Sequence, residues 1–380
     1  MKKEFSIYLD LIRFIAALLV VVYHSNIRLV ISESLPFSNH GHAAVIVFFV
    51  LSGYVISYIT STREKAGVDY WSSRLSRFYS LAIPAVLLSP LLDLAGEALA
   101  PQFYIDKTTH SLAWLRAITS LTFTNEIWNL SIMSFSNVPY WSLCYEMWYY
   151  ALFGIVTFTN GKPRIWLATA TILFLGPKIL VLAPIWVLGV VLQRYQPLNR
   201  FPQWQSWALF LASWPLYGLF QYYQLSEYGS QTLLHWVGAK WHREAAFSKY
   251  FITDYLLALI IAANFVGYRG IAHHFSSILL PFEQIIRWLA GFTFSLYILH
   301  QPLLLFYAAV FNGDPRRPLF YAEVMSATLL SVCIIGVFTE KKRYQLRNWF
   351  RRLLVAMMGS KWLPRDGTGT LQDKVPGQLR

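Results

Sequence analysis

Three ionisable residues, Asp10, Arg13 and His24, stand inside the first apolar run of the chain. At 3.6 residues per turn, Arg13 and His24 return to within about 20° of one another on a helix and lie about 16 Å apart along it. Asp10, three residues before Arg13, falls on nearly the same face. One stripe of this helix is therefore polar and should face the protein interior or a wet cavity. Glu146 sits in the aromatic run Trp141-Ser142-Leu143-Cys144-Tyr145-Glu146, and His300 in Tyr297-Ile298-Leu299-His300-Gln301-Pro302. Ionisable groups inside apolar spans are costly, so each is a functional candidate or a polar staple between helices. A histidine and a carboxylate that meet in a low-dielectric interior make a general base with an orienting partner. Several such residues in different runs favour a shared site. Arg74 and Arg77, with Arg63 and Lys65 nearby, follow the second apolar run. Arginines three apart at the start of a helix can grip phosphate with fixed forks of donors, although charge at a membrane edge needs no ligand.

The elements that must position these residues are membrane helices. Of 380 residues, 56% are apolar, 17% aromatic and 13% charged, against roughly 25% charged in an ordinary globular chain. So few charges cannot cover a water-soluble surface of this size, and the mean hydropathy of +0.42 agrees. A soluble dinucleotide-binding enzyme, a disulfide scaffold, a disordered regulator and a nucleic-acid module are all disfavoured. The two cysteines, Cys144 and Cys333, lie in apolar stretches and suggest neither a disulfide framework nor a zinc site.

Apolar runs near 8–30, 43–61, 78–96, 139–159, 205–223, 251–268, 285–311 and 320–339 are long enough to span a bilayer. Two shorter runs, 164–176 and 179–194, are parted by Gly176-Pro177 and read as a tight helical hairpin, which makes ten spans. The expected fold is an all-α polytopic membrane helical bundle of about ten transmembrane helices with both termini cytoplasmic. With that orientation 22 Lys and Arg fall on the inner side and nine on the outer, and ten of the 22 lie between Lys341 and Arg380. Residues 1–345 make the transmembrane domain and 346–380 a basic cytoplasmic tail with a disordered end. The tail's charge suits anionic lipid headgroups rather than nucleic acid. Two outer loops, about 97–138 and 224–250, are long and rich in aromatic and polar residues, as functional loops or interfacial re-entrant segments would be.

The motifs carry a resemblance. Tyr8-Leu9-Asp10-Leu11-Ile12-Arg13, followed by Val20-Val21-Val22-Tyr23-His24-Ser25, resembles the opening span of the acyltransferase 3 family of integral membrane acyltransferases. Phe48-Phe49-Val50-Leu51-Ser52-Gly53 looks like its Phe-Phe-x-x-Ser-Gly element, and Arg74-Leu75-Ser76-Arg77 is similar to its cytoplasmic arginine motif. Trp141-Ser142-Leu143 leading to Glu146 resembles its central Glu motif, and Phe294 to Pro302 its late-span signature. The pieces occur in the family's order from about residue 8 to 345. Ser80 stands where a proline is common, and the Gly-x-Asp often found before the Phe-Phe pair is absent.

The resemblance implies a multi-pass protein of the cell membrane, a bacterial inner or plasma membrane, that modifies polysaccharide. It would transfer an acyl group, commonly acetyl, from cytoplasmic acyl-CoA to a hydroxyl of an extracytoplasmic glycan, with no metal. Acyl transfer needs a base for the hydroxyl, a path for the thioester and donors for developing negative charge. On this reading His24 is the general base or a transient acyl carrier and Glu146 its electrostatic or orienting partner. Arg13 contacts the donor or pairs with Asp10, Arg74 and Arg77 meet the CoA phosphates, and Ser52 and His300 support the site. A transporter or flippase of a lipid-linked sugar is the rival reading, since buried charges and Pro/Gly-interrupted helices suit it equally. A non-catalytic assembly partner is a third.

Overall fold

A computed structural model of the chain describes residues 1–105, 111–195 and 201–358. Among the described residues it is all-helical, with a single isolated bridge, Ser134 to Asn137, and no strand. The first five helices are α1 (Lys3–Ser25), α2 (Gly41–Thr62), α3 (Gly67–Leu99), α4 (Ala113–Leu121) and α5 (Trp141–Phe158). After these come α6 (Gly161–Leu175), α7 (Pro177–Leu180), α8 (Ala183–Arg194), α9 (Gln203–Tyr222) and α10 (Leu225–Glu244). The last are α11 (Phe251–Ile271), α12 (Ser276–Leu279), α13 (Glu283–Gly291), α14 (Thr293–Phe311) and α15 (Pro318–Met358).

Seven stretches among the described residues are long and apolar enough to cross a bilayer. Three of the ten runs read from the sequence fall short. Helix α6 has only 15 residues, and α5 and α9 are diluted by Trp, Tyr and Gln, whose polar handles lower hydropathy while the rings still fill space. Other expectations are corrected in detail. The first span stops at Ser25 rather than residue 30. Helix α3 starts at Gly67 rather than near residue 78, so Arg74 and Arg77 lie inside it. The 285–311 run is two helices, α13 and α14, parted at Phe292. The expected hairpin is absent: α6 lies against α5, while α8 packs on α2 and α11. The 224–250 loop is mostly α10, broken at Gly238 where φ is 77°. The boundary expected at 345 falls inside α15, whose extension is tied to α3 by Arg351 Nε donating to Asp69 Oδ1 at 3.2 Å. The expected disordered end lies outside the described residues.

Helices α2 and α14 form the centre, with 72% of each apolar stretch buried against 28% for α15. Helix α2 packs on α1, α8 and α11, and α14 on α1, α3 and α15. Contact between α2 and α8 is made backbone to backbone through glycines. A Cβ at Gly53 would strike the Trp186 carbonyl oxygen, and one at Gly189 the Val50 carbonyl oxygen. Small residues let membrane helices approach this closely, and the contact adjoins Ser52. Gly53→Val is expected to cost more than the roughly 1–3 kcal/mol usual for overpacking, because backbone rather than a flexible side chain obstructs it. Thermal unfolding in detergent reads the effect, and an unchanged midpoint would contradict the packing described.

Helix α14 carries Pro302, which cannot donate to the carbonyl of Ile298. In lipid such a freed carbonyl must find another donor. Asn137 supplies it, donating from Nδ2 to the Ile298 oxygen at 2.8 Å. The segment before α5 is thereby fixed to α14 two residues from His300.

Candidate active site

Two cavities lie along the bundle's interior and share Val45 and Tyr297 in their walls. The first, about 180 Å³, lies beside the middle of α1 and is lined by Arg13, Arg77, Arg343, Ser52, Glu146 and Tyr150. The second, about 440 Å³, is at the C-terminal end of α1 and is lined by His24, His42, Tyr23, Lys249, Tyr250 and Trp141. They are called here the basic cavity and the histidine chamber.

In the basic cavity, Glu146 Oε1 accepts from Ser52 Oγ at 2.5 Å and from the Tyr150 hydroxyl at 2.8 Å. Trp186 Nε1 donates to the same Ser52 oxygen at 3.1 Å. Side chains of α2, α5 and α8 thus hold one carboxylate in one orientation. Arg13 donates to Asp10 Oδ1 at 2.7 Å, and Asp10 Oδ2 accepts from Arg287 at 3.1 Å. Arg13 Nε is buried without a hydrogen-bond partner among the described residues. The Arg77 guanidinium stands 5.3 Å from the centre of the Phe294 ring. Arg74, expected to meet phosphate beside Arg77, is instead 3% exposed and spends one guanidinium nitrogen on both oxygens of Glu64, each at 2.9 Å. It is not in the cavity wall; Arg77, three residues on, and Arg343, which sequence reading passed over, are.

His24 lines the histidine chamber, and the ring of His300, behind that wall, lies 5.2 Å from its ring, centre to centre. His300 is fully buried, and its Nδ1 donates to the Leu296 carbonyl at 2.9 Å. That bond fixes the tautomer and leaves Nε2 as a lone pair, which has no partner among the described residues. Trp141 and Phe247 stack at 4.5 Å with planes 3° apart, giving the chamber an aromatic wall. Glu146 is not on this chamber, so the carboxylate expected to orient His24 instead lies beyond Tyr297 and Val45. Tyr297, whose hydroxyl bonds Ser142 at 2.7 Å, belongs to both walls, and the ring of Phe48 in the basic cavity packs on it at 5.3 Å.

The loop between α4 and α5 closes one side of the chamber with Ser131, Met133 and Val138. Glu126, fully buried, ties this loop down through an ion pair with Lys178 Nζ at 2.8 Å and accepts from Ser131 at 3.0 Å. Lys178 also donates to the Leu130 carbonyl. Burial pushes the Glu126 carboxyl above the ordinary carboxylate range, while Lys178 and Ser131 pull it down. Among the described residues, no group of three or more His, Cys, Asp or Glu is placed to hold a metal ion.

A family model described as an acyltransferase domain matches residues 6–339, nearly the whole chain. The chain belongs to the acyltransferase 3 family. It is accordingly an acyltransferase, of the kind that moves groups other than aminoacyl groups, and the apolar helices of this family member make it a multi-pass membrane protein. No curated protein and no solved structure gives a significant match. The sequence motifs that carried the resemblance separate in space: Arg77 and the Phe-Phe-x-x-Ser-Gly and Glu motifs gather at the basic cavity, and His24 lines the chamber with His300 buried beside it.

Proposed function

We infer that this acyltransferase is an O-acyltransferase that takes an acyl group, acetyl in the first instance, from acyl-CoA. It delivers the group to a hydroxyl of a glycan on the other face of the membrane. The observation that carries this reading is the pair of adjoining cavities, one lined by three arginines and the other by two histidines and aromatic rings. Arginine forks suit phosphate, and Arg13, Arg77 and Arg343 would hold the phosphates of the donor at the cytoplasmic face. His24 lies about 16 Å further along α1, a separation that an extended thioester arm can cross and a bulky nucleotide cannot share. Passage would run beside Val45 and Tyr297. Trp141, Phe247 and Tyr250 offer flat apolar faces with polar rims, the kind of surface on which a sugar ring rests.

At the reacting centre, His24 meets the acyl carbon as general base or as transient acyl carrier. The oxygen–carbon bond of the ester forms, the carbon–sulfur bond of the thioester breaks, and the hydroxyl proton ends on CoA as the thiol. His300, its tautomer set by Leu296, lies buried behind the chamber with its ring centre 5.2 Å from that of His24. Glu146, held by Ser52 and Tyr150, serves the donor end rather than His24 itself.

The donor assignment is tested by replacing Arg77 and Arg343 separately with alanine and measuring acetyl-CoA kinetics. Hydrogen bonds to charged groups contribute about 1.5–3 kcal/mol each, so KM should rise about tenfold or more per arginine while kcat changes little. An unchanged KM in both variants would remove CoA from the basic cavity.

A further inference from the structure

His42 and Asp254 form a second histidine–carboxylate pair that the reading above does not use. His42 Nε2 lies 2.8 Å from Asp254 Oδ1, joining the first turn of α2 to the first turn of α11. Asp254 is fully buried and its other oxygen, Oδ2, has no hydrogen-bond partner among the described residues. The His42 side chain is 21% exposed, and what it exposes belongs to the wall of the chamber that also holds His24. With Nε2–H donated to the carboxylate, Nδ1 is left as a lone pair, and it makes no hydrogen bond among the described residues. The Tyr250 ring, 4.6 Å from the imidazole centre, limits its rotation. A carboxylate that fixes one nitrogen of an imidazole lining an open chamber is the arrangement of a base with its orienter. A pure staple between α2 and α11 has no need to put its imidazole in the wall of a cavity of about 440 Å³.

We propose that His42 is the base for the acceptor hydroxyl, with Asp254 as its positioning residue, and that His24 carries the acyl group between donor and acceptor. This rests on the acyl-transfer reading given above. In the first half-reaction a His24 nitrogen attacks the thioester carbon, the carbon–sulfur bond breaks, and the proton displaced from His24 leaves with CoA as the thiol. In the second, the acceptor oxygen attacks the acyl carbon and its proton passes to His42 Nδ1. The carbon–nitrogen bond then breaks, its electron pair returns to His24, and the proton on His42 restores the His24 N–H. Atoms and charge balance without a further reactant. The two histidines divide the work: His24 faces the donor's arrival past Tyr297, and His42 faces the acceptor.

The test separates the halves in membranes of native-host cells that lack their own copy and express wild type, His42→Asn, Asp254→Asn or His42→Gly. The first half is read as exchange of labelled CoA into acetyl-CoA, and the second as labelled acetyl in the membranes' own glycan. His42→Asn and Asp254→Asn should keep the exchange within about threefold and lose at least about a hundredfold of the glycan labelling. Added imidazole should restore part of the labelling in His42→Gly. Labelling at the wild-type rate in His42→Asn overturns the inference, as does parallel loss of exchange and labelling in both Asn variants without imidazole rescue. Wild-type labelling without any exchange also overturns it, because no acyl-His24 would then form, and leaves acyl transfer standing. Absence of both signals from folded wild type sinks the acyl-CoA reading and the inference with it.

Discussion

His24→Ala lowers kcat for acyl transfer by about 10²–10⁴-fold, the range expected when a positioned base or nucleophile is removed, with little change in the KM for acyl-CoA. The split follows from the geometry. The arginines that would bind the donor line one cavity and His24 the other, so removing the imidazole leaves donor binding intact and deletes the group at the acyl carbon. Stability should hardly move, because His24 is half-buried at the last turn of α1 and its loss opens onto an existing chamber. Steady-state kinetics on the purified protein, paired with thermal unfolding, separate the two effects. A variant that keeps wild-type kcat, or one that loses activity only by unfolding, contradicts the role assigned to His24.

Lys178→Met destabilises the protein by about 3–5 kcal/mol at neutral pH, the usual cost of stranding one member of a buried ion pair. Glu126 and Lys178 are both enclosed, and the loop they hold carries Ser131 and Met133 of the chamber wall. The pH dependence has a defined sign. Burial already raises the Glu126 carboxyl, and Lys178 is the foremost influence lowering it, so its loss raises the folded-state value further. A carboxyl raised above its unfolded value carries a penalty that is present above that unfolded value, about 4.3, and vanishes below it. The deficit in unfolding midpoint should therefore be large at pH 8, smaller at pH 5, and largely relieved by the double change Glu126→Gln, Lys178→Met. Equal deficits at the two pH values would contradict it.

The polar stripe of α1 was legible because a helix has one period and only one face can leave the lipid: Asp10, Arg13 and His24 do point inward. Helix starts and stops were less legible. The break at Phe292 leaves hydropathy nearly continuous, while α15 runs on through the basic residues 341–352 beyond the end of its apolar run, held by packing on α3 and α14. Contacts between helices could not be read from spacing at all. Glu146 found Ser52 and Tyr150 rather than His24, and Arg74 found Glu64 rather than the cavity. Asp254 was within reach, since an acid in the first turn of an apolar run answers the same rule that singled out Asp10. Its partner His42 announced itself only as a polar residue at a helix start, and Arg343 was hidden among the basic residues of α15.

The most direct test of the central claim is sided. Labelled acetyl-CoA is supplied only to the outer medium of sealed inside-out vesicles, so that it meets the face assigned to Arg13, Arg77 and Arg343, and acetylated glycan is measured in the lumen. The account predicts lumenal acetyl label with wild type, CoA remaining outside, and neither product with His24→Ala at matched expression. Lumenal CoA accompanying the label, or equal label from His24→Ala, would contradict it.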